Sequence, residues 1–252
     1  VPRPEYIPAS AMCVVAHPDD TEFMFAGTVA KWAAAGSEVS YVVVTRGDKG
    51  SSNPEMTPGR LTEIREAEQR EAARILGVAR VLFLGYEDGY LQPTLQLRRD
   101  ITRLLRQYRP EVLMTFDPET RFFGGFYPNH PDHRAAADAA VDAMFPSARD
   151  RLTFPELLVD GLEPHNVKQL WMGSSSNANH WVDITEVMDK KVEALQAHPS
   201  QFGEDMVGFA REMARMAASG QPFEFAGSYR RIVMDEGFAA VVAEAAGGDR
   251  AS

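Results

Sequence analysis

The chain has 252 residues, 44% hydrophobic and 25% charged, enough to bury a sizeable core in one domain without help from a structural metal. Its lone cysteine, Cys13, excludes an intramolecular disulfide and any Cys-rich zinc module, and a formal charge of −10 argues against nucleic acid or an anionic membrane as partner. No apolar run approaches the roughly 20 residues of a membrane span, and Val1 to Ser10 carries no basic-then-apolar signal pattern, so the expected location is the cytoplasm.

Met12 to Ala16 is a continuous apolar run, as expected of a strand buried on both faces. Phe23 to Ala35 reads as one helix, with Phe23, Ala26, Ala30 and Ala33 along one side and Gly36 as its stop. Val39 to Thr45 is a second strand, rich in β-branched residues. Leu61 to Leu76 is a charged amphipathic helix ending at Gly77. Val81 to Leu84 and Val112 to Phe116 read as strands, with helices around Leu95 to Tyr108 and from about His133 to Ala143. The second half is less regular: short strands at Gln169 to Met172 and Trp181 to Asp183, helices at Thr185 to Ala197 and Asp205 to Ala218, and a fraying tail after Phe238. Met206, Met213 and Met216, at helical spacing, read as core packing, and His165 and His180 as structural or surface residues.

Strands alternating with helices predict an α/β fold, a mostly parallel twisted sheet with helices on both faces. Right-handed crossovers place every strand's C-terminal end on one edge, where such sheets bind ligands. The residues just after the strands are therefore the candidates. Strand one runs straight into His17-Pro18-Asp19-Asp20-Thr21-Glu22, and the Val112 to Phe116 strand leads through a Gly- and aromatic-rich loop to His130-Pro131-Asp132-His133. Two imidazoles and a carboxylate from two distant loops suit a catalytic metal with a position left open for water. Such a centre keeps one net positive charge and can acidify water and polarise a carbonyl. A further carboxylate nearby supplies a general base. The rival reading is structural: Asp is a common helix N-cap and His-Pro a natural turn start. Spacing alone does not say which acids bind metal. Gly47 and Gly50 suggest a loop rimming the pocket. No Walker loop, dinucleotide fingerprint or nucleophile elbow is present.

The AHPDDTE and HPDH motifs resemble those of the PIG-L/LmbE-like family of metal-dependent N-acetylglucosamine deacetylases. The likeness extends to Arg65 to Gly77 (REAEQREAARILG), LGYEDG at Leu84 to Gly89 and AHPSQ at Ala197 to Gln201. It implies a Rossmann-like fold and one deacetylase domain over residues 1–252, with a core at about 10–145 and a specificity-shaping part at about 146–240. It further implies that His17, Asp20 and His133 ligate Zn2+ (Fe2+ suits the same donors), with Asp19 as general base. His130, when protonated, would assist the tetrahedral intermediate or the leaving amine, oriented by Asp132. Arg65 matches a substrate contact, its rival role being a surface ion pair with Glu66 or Glu68. His198 could line the sugar pocket or serve in packing. Some relatives carry a tyrosine where this chain has Pro128, leaving Tyr127 as the nearest candidate to hold the oxyanion.

The expected activity is removal of an N-acetyl or related N-acyl group from an amino-sugar conjugate by metal-activated water. The alternatives are a metal-dependent amidase acting on a thiol-sugar conjugate and a non-catalytic sugar-binding module. A homo-oligomer is compatible with the composition.

Overall fold

The computed structural model describes residues 5–123, 127–203 and 205–234, so the tail after Phe238 lies outside the described residues. The chain alternates β1 (Ser10–Val15), α1 (Asp20–Met24), α2 (Ala26–Ala34), β2 (Glu38–Thr45), α3 (Pro58–Leu76), β3 (Arg80–Tyr86), α4 (Leu95–Tyr108) and β4 (Val112–Phe116). A short β5 (Phe122–Phe123) and β6 (Tyr127–Pro128) precede α5 (Pro131–Asp142). The second half supplies β7 (Gln169–Gly173), β8 (His180–Asp183), α6 (Met188–Gln196), α7 (Asp205–Ala217) and β9 (Ala226–Val233).

Seven strands form one sheet in the order β3-β2-β1-β4-β7-β9-β8. The pairs β3–β2, β2–β1, β1–β4 and β4–β7 are parallel, and β9 pairs antiparallel with both β7 and β8. The α/β class read from the alternation is therefore the observed one. Helices α4 and α5 pack together, as do α2 and α3 with α6. Strand order reverses direction at β1, whose neighbours are β2 and β4, and the crevice beyond their C-terminal ends is the switch point where open sheets bind ligands.

Local chemistry sets the boundaries. Thr57 caps α3 by accepting from the Arg60 amide, Pro58 occupies the first turn, and Gly77 ends the helix at φ 79°, so α3 starts three residues before Leu61. Thr94 caps α4 in the same way, and Leu97, Ile101 and Leu105 bury one face completely.

Two expectations need correction. The single helix over Phe23 to Ala35 is two, broken at Phe25 (φ −116°), whose fully buried ring leaves the helical path to stack near Tyr229. Met213 and Met216 do not pack the core: they stand 46% and 53% exposed on α7, which buries Ala210 and Ala214 instead. Strand β9 has no counterpart among the expected elements. Tyr229 pins it by reaching across to the Thr28 hydroxyl (2.7 Å) and donating to the Met24 carbonyl (3.2 Å).

His165 and His180 are structural, as expected. His165 Nε2 bonds the Pro110 carbonyl (2.8 Å), and His180 packs edge-on against Trp171. Burial, with Arg231 nearby, holds the His180 imidazole down at about 4 against an ordinary 6.5. The unfolded chain then binds the proton more readily, so stability is lost as pH falls from about 6.5 toward about 4. With chelator present throughout, His180→Asn should show a smaller fall in Tm between about pH 7 and pH 4.5 than the parent; equal falls would clear His180 of this role.

Candidate metal centre

The two histidine-bearing motifs meet at the switch point. His17 lies just past the end of β1, and His130 and His133 sit at the start of α5, after β4. His17 Nδ1 lies 3.3 Å from His133 Nε2 and 3.5 Å from Asp20 Oδ2, while His133 Nε2 lies 3.1 Å from Asp20 Oδ1. Two imidazole nitrogens and the two oxygens of the Asp20 carboxylate, from loops 116 residues apart, thus converge.

The remote nitrogens explain why these atoms face inward. His17 Nε2 meets two carboxylates, Asp88 Oδ1 at 3.1 Å and Asp132 Oδ2 at 3.4 Å. Ionised carboxylates only accept, so Nε2 carries a proton, and in the neutral ring Nδ1 presents a lone pair. His133 Nδ1 faces Asn129 Oδ1 (3.2 Å), and the Asn129 amide cannot turn over because its Nδ2 donates to the Thr120 carbonyl (2.8 Å). Nδ1 therefore donates, and Nε2 presents its lone pair. The His133 ring also stacks on Phe116, centroids 4.1 Å apart and planes 10° from parallel. Carboxylate or amide oxygens behind each imidazole are the arrangement that orients histidine toward a divalent cation.

With both rings neutral, two lone pairs and a carboxylate face one another, so this donor set fits a divalent metal, which would compete with a proton for the same place. Electrostatics agree. Burial pulls the His17 imidazole down, but hydrogen bonds to Asp132, Asp20 and Asp88 outweigh it and hold it well above its ordinary value. Burial pushes Asp20 up, yet His133 and His17 drive it far below the usual carboxylate range. The pocket thus attracts positive charge. Two other groupings also bring ligand atoms within 4.8 Å: His17 with His130 and His133, and His17 with Asp88 and Asp132. The second surrounds the protonated nitrogen of His17, and the Gly89 and Leu91 amides already satisfy Asp132 (2.7 and 3.3 Å). In the first, His130 spends Nδ1 on the Asp132 amide. In the set His17, Asp20 and His133 both imidazole nitrogens are clear of partners outside it, and Asp20 keeps Oδ1 toward His133 while its Oδ2 accepts from the His17 amide (2.7 Å).

Asp19 sits beside Asp20 as the residue preceding α1, at φ 99° and ψ −27°. A non-glycine residue held there costs about 1–3 kcal/mol, so its neighbours must impose the conformation. Its amide donates to Gln69 Oε1 (2.9 Å), and its Oδ2 accepts from Arg65 (2.9 Å). Burial and the Asp20 charge, against Arg65, push its carboxyl up to about 7. Among the described residues Oδ1 has no hydrogen-bond partner.

Several expectations change here. Arg65 is no surface ion-pair partner of Glu66 or Glu68. It is buried on the inner face of α3, donating also to the Pro18 and Gly47 carbonyls (2.7 and 2.9 Å), so it acts on Asp19 rather than offering itself to substrate. A side chain at Gly47 would meet the guanidinium at 2.7 Å, which is why glycine stands there. His198 is fully buried, with Nε2 on Glu22 (3.1 Å), and has no surface for a sugar. The Asp132 carboxylate turns to the Gly89 and Leu91 amides and to His17 rather than to His130; its tie to His130 is its backbone N–H, which donates to Nδ1 (3.2 Å). His130 is exposed, and its imidazole is lowered by burial and by the neighbouring His17 and His133. Tyr127 stands 63% exposed on β6 and bonds none of these residues.

Asp88, Asn129, Gln69 and Glu22 also join the site; all but Asn129 lie in stretches that carry the family resemblance, yet the sequence assigns none of them a role. Asp88 comes just after β3 at the same edge and answers to the rule that locates the histidines. Arg65 and Gln69 fall on the stripe of α3 that buries Leu61, Ala72 and Leu76, and polar residues in such a stripe are themselves a signal. Asp88→Asn should weaken metal binding about 10–100-fold in a competition assay with a chromophoric chelator; unchanged affinity would remove Asp88 from behind His17.

Fold and centre define an α/β protein carrying a two-histidine, one-carboxylate site at its sheet switch point. The chain belongs to the PIG-L family, described as GlcNAc-PI de-N-acetylase, whose family profile matches residues 12–144, both motifs included. A diacetylchitobiose deacetylase of Thermococcus kodakarensis is 31% identical over 195 residues, covering 77% of this chain and 71% of that protein. A probable N-acetyl-alpha-D-glucosaminyl L-malate deacetylase 2 of Bacillus anthracis is 30% identical over 215 residues, covering 80% and 85%. Among solved structures, N,N'-diacetylchitobiose deacetylase from Pyrococcus horikoshii superposes with TM-score 0.84 at 29% identity, over 90% of this chain and 84% of that one. Among the described residues no helix is long and apolar enough to cross a membrane.

Proposed function

We propose that this protein is a metal-dependent hydrolase, with Zn2+ as the first candidate ion, that removes an N-acetyl group from an N-acetylglucosamine conjugate. The observation that carries the reading is the convergence of His17 Nδ1, His133 Nε2 and Asp20 beside a second carboxylate, Asp19, held in a costly backbone conformation with one oxygen unpartnered. A sugar-binding module has no use for a strained carboxylate next to a cation site. Two relatives support the substrate class: their names share an N-acetylated glucosamine unit and differ in what is joined to it.

His17, Asp20 and His133 would hold the cation. When bound, it supplies a Lewis acid that makes water more acidic and polarises the amide carbonyl. Arg65 holds one oxygen of Asp19, leaving the other to take a proton from the attacking water. Asp19 takes that proton in the attack and gives it back later in the reaction. His130 accepts at Nδ1, so its neutral ring carries the proton on Nε2 and donates to the substrate oxygen as negative charge builds there. The C–N bond then breaks, its electron pair staying on nitrogen, and the proton on Asp19 passes to the departing amine. Acetate and the free amino sugar are the products.

The test is acetate release from a panel of N-acetylglucosamine conjugates, with and without chelator. Chelator-sensitive release is expected. Failure of the metal-loaded protein on the whole panel, or release indifferent to chelation, refutes the reading.

A further inference from the structure

We infer that Gln69, aimed by Glu22 and His198, is the positioning residue that holds Asp19 for proton transfer, an inference that rests on the functional reading above. Gln69 is fully buried. Its Oε1 accepts from the Asp19 amide (2.9 Å), and its Nε2 lies 3.1 Å from each oxygen of the Glu22 carboxylate.

The surroundings of Glu22 determine which way the amide of Gln69 faces. Thr21 Oγ1 donates to Glu22 (2.8 and 2.9 Å), and His198 Nε2 meets it at 3.1 Å. His198 Nδ1 is buried without a partner. An ionised carboxylate only accepts, so His198 Nε2 carries a proton and points it at Glu22. Every group around this carboxylate therefore donates. Gln69 must present its NH2 to Glu22 and its oxygen to Asp19; turned over, it would set oxygen against carboxylate and two donors against each other. Donation therefore runs from Asp19 through Gln69 to Glu22, and His198 donates to the same carboxylate from its other side.

Arg65 fixes the Asp19 carboxylate at one oxygen, and Gln69 fixes the backbone at φ 99°. Both ends are needed to define where Oδ1 stands. Without Gln69 the backbone can relax toward ordinary φ and carry the carboxylate away from the water it should deprotonate. Lys191 supports the same helix by donating to the Glu22 and Phe23 carbonyls at the end of α1.

In zinc-loaded protein, Gln69→Leu should lower kcat about 10- to 100-fold, with KM and zinc affinity within about twofold. Exchange of the Asp19 amide hydrogen, followed by NMR, should quicken at least about tenfold. The double variant Gln69→Glu, Glu22→Gln re-forms the chain, since the carboxylate at 69 accepts from both Asp19 and the new amide at 22, and it should restore both readouts. Unchanged exchange in Gln69→Leu overturns the inference, as does faster exchange with kcat intact. A kcat loss that tracks zinc loss and is not repaired by the double variant overturns it too. A parent protein inactive on every amino-sugar conjugate defeats the functional reading instead, and the exchange result still decides what holds Asp19.

Discussion

Asp19→Asn should leave a fully metal-loaded, folded protein that turns over about 10²–10⁴-fold more slowly. The carboxamide has nearly the shape of the carboxylate, and its oxygen can still accept from Arg65. Arg65 keeps the Pro18 and Gly47 carbonyls in either case, so its charge is not stranded. The new side chain cannot take a proton from water, and among the described residues no other carboxylate near the centre is free to substitute. Asp20 faces the histidines, and Asp88 and Asp132 are engaged behind His17. The check is kcat on any active N-acetylglucosamine conjugate alongside zinc content by elemental analysis. Full activity would take Asp19 out of the proton-transfer role.

His133→Ala should act differently, by removing the cation. One of three donors disappears, and with it the link between the α5 loop and the β1 loop. Zinc affinity should fall by more than the 10–100-fold typical of outer hydrogen-bond partners of metal ligands, that is, more than about 100-fold. Activity should fall with it and recover only in part at high zinc. Loss of the ring stacked on Phe116 also leaves a gap, so Tm should be recorded beside metal content. Stoichiometric zinc in this variant would refute the assignment of His133.

The contrast between the residues that are readable in the sequence and those that are not has a physical basis. Strands β1, β2 and β4 are buried on both faces and spell continuous apolar runs. Once those strands are placed, the residues just past their C-terminal ends bring His17 and His133 to one edge. Strand β9 escapes because Gly227, Arg230 and Arg231 interrupt its apolar pattern; it is held by Tyr229 and by pairing with β7 and β8, which are remote in sequence. The break at Phe25 is hidden because the periodicity continues through it. Which carboxylate serves which histidine is a tertiary fact. Asp132 lies within a few residues of His130 yet turns to His17, because the Gly89 and Leu91 amides pull it there. His198 resembles a pocket residue by its neighbours in sequence, while its partner Glu22 is 176 residues away.

The central claim is that one divalent cation is held jointly by the loops after β1 and β4. The most direct test is anomalous diffraction at the zinc edge from crystals grown with zinc. The account predicts one strong peak about 2.0–2.2 Å from His17 Nδ1, an Asp20 oxygen and His133 Nε2. A peak seated instead between Asp88 and Asp132, or none with the two imidazoles turned apart, would contradict it.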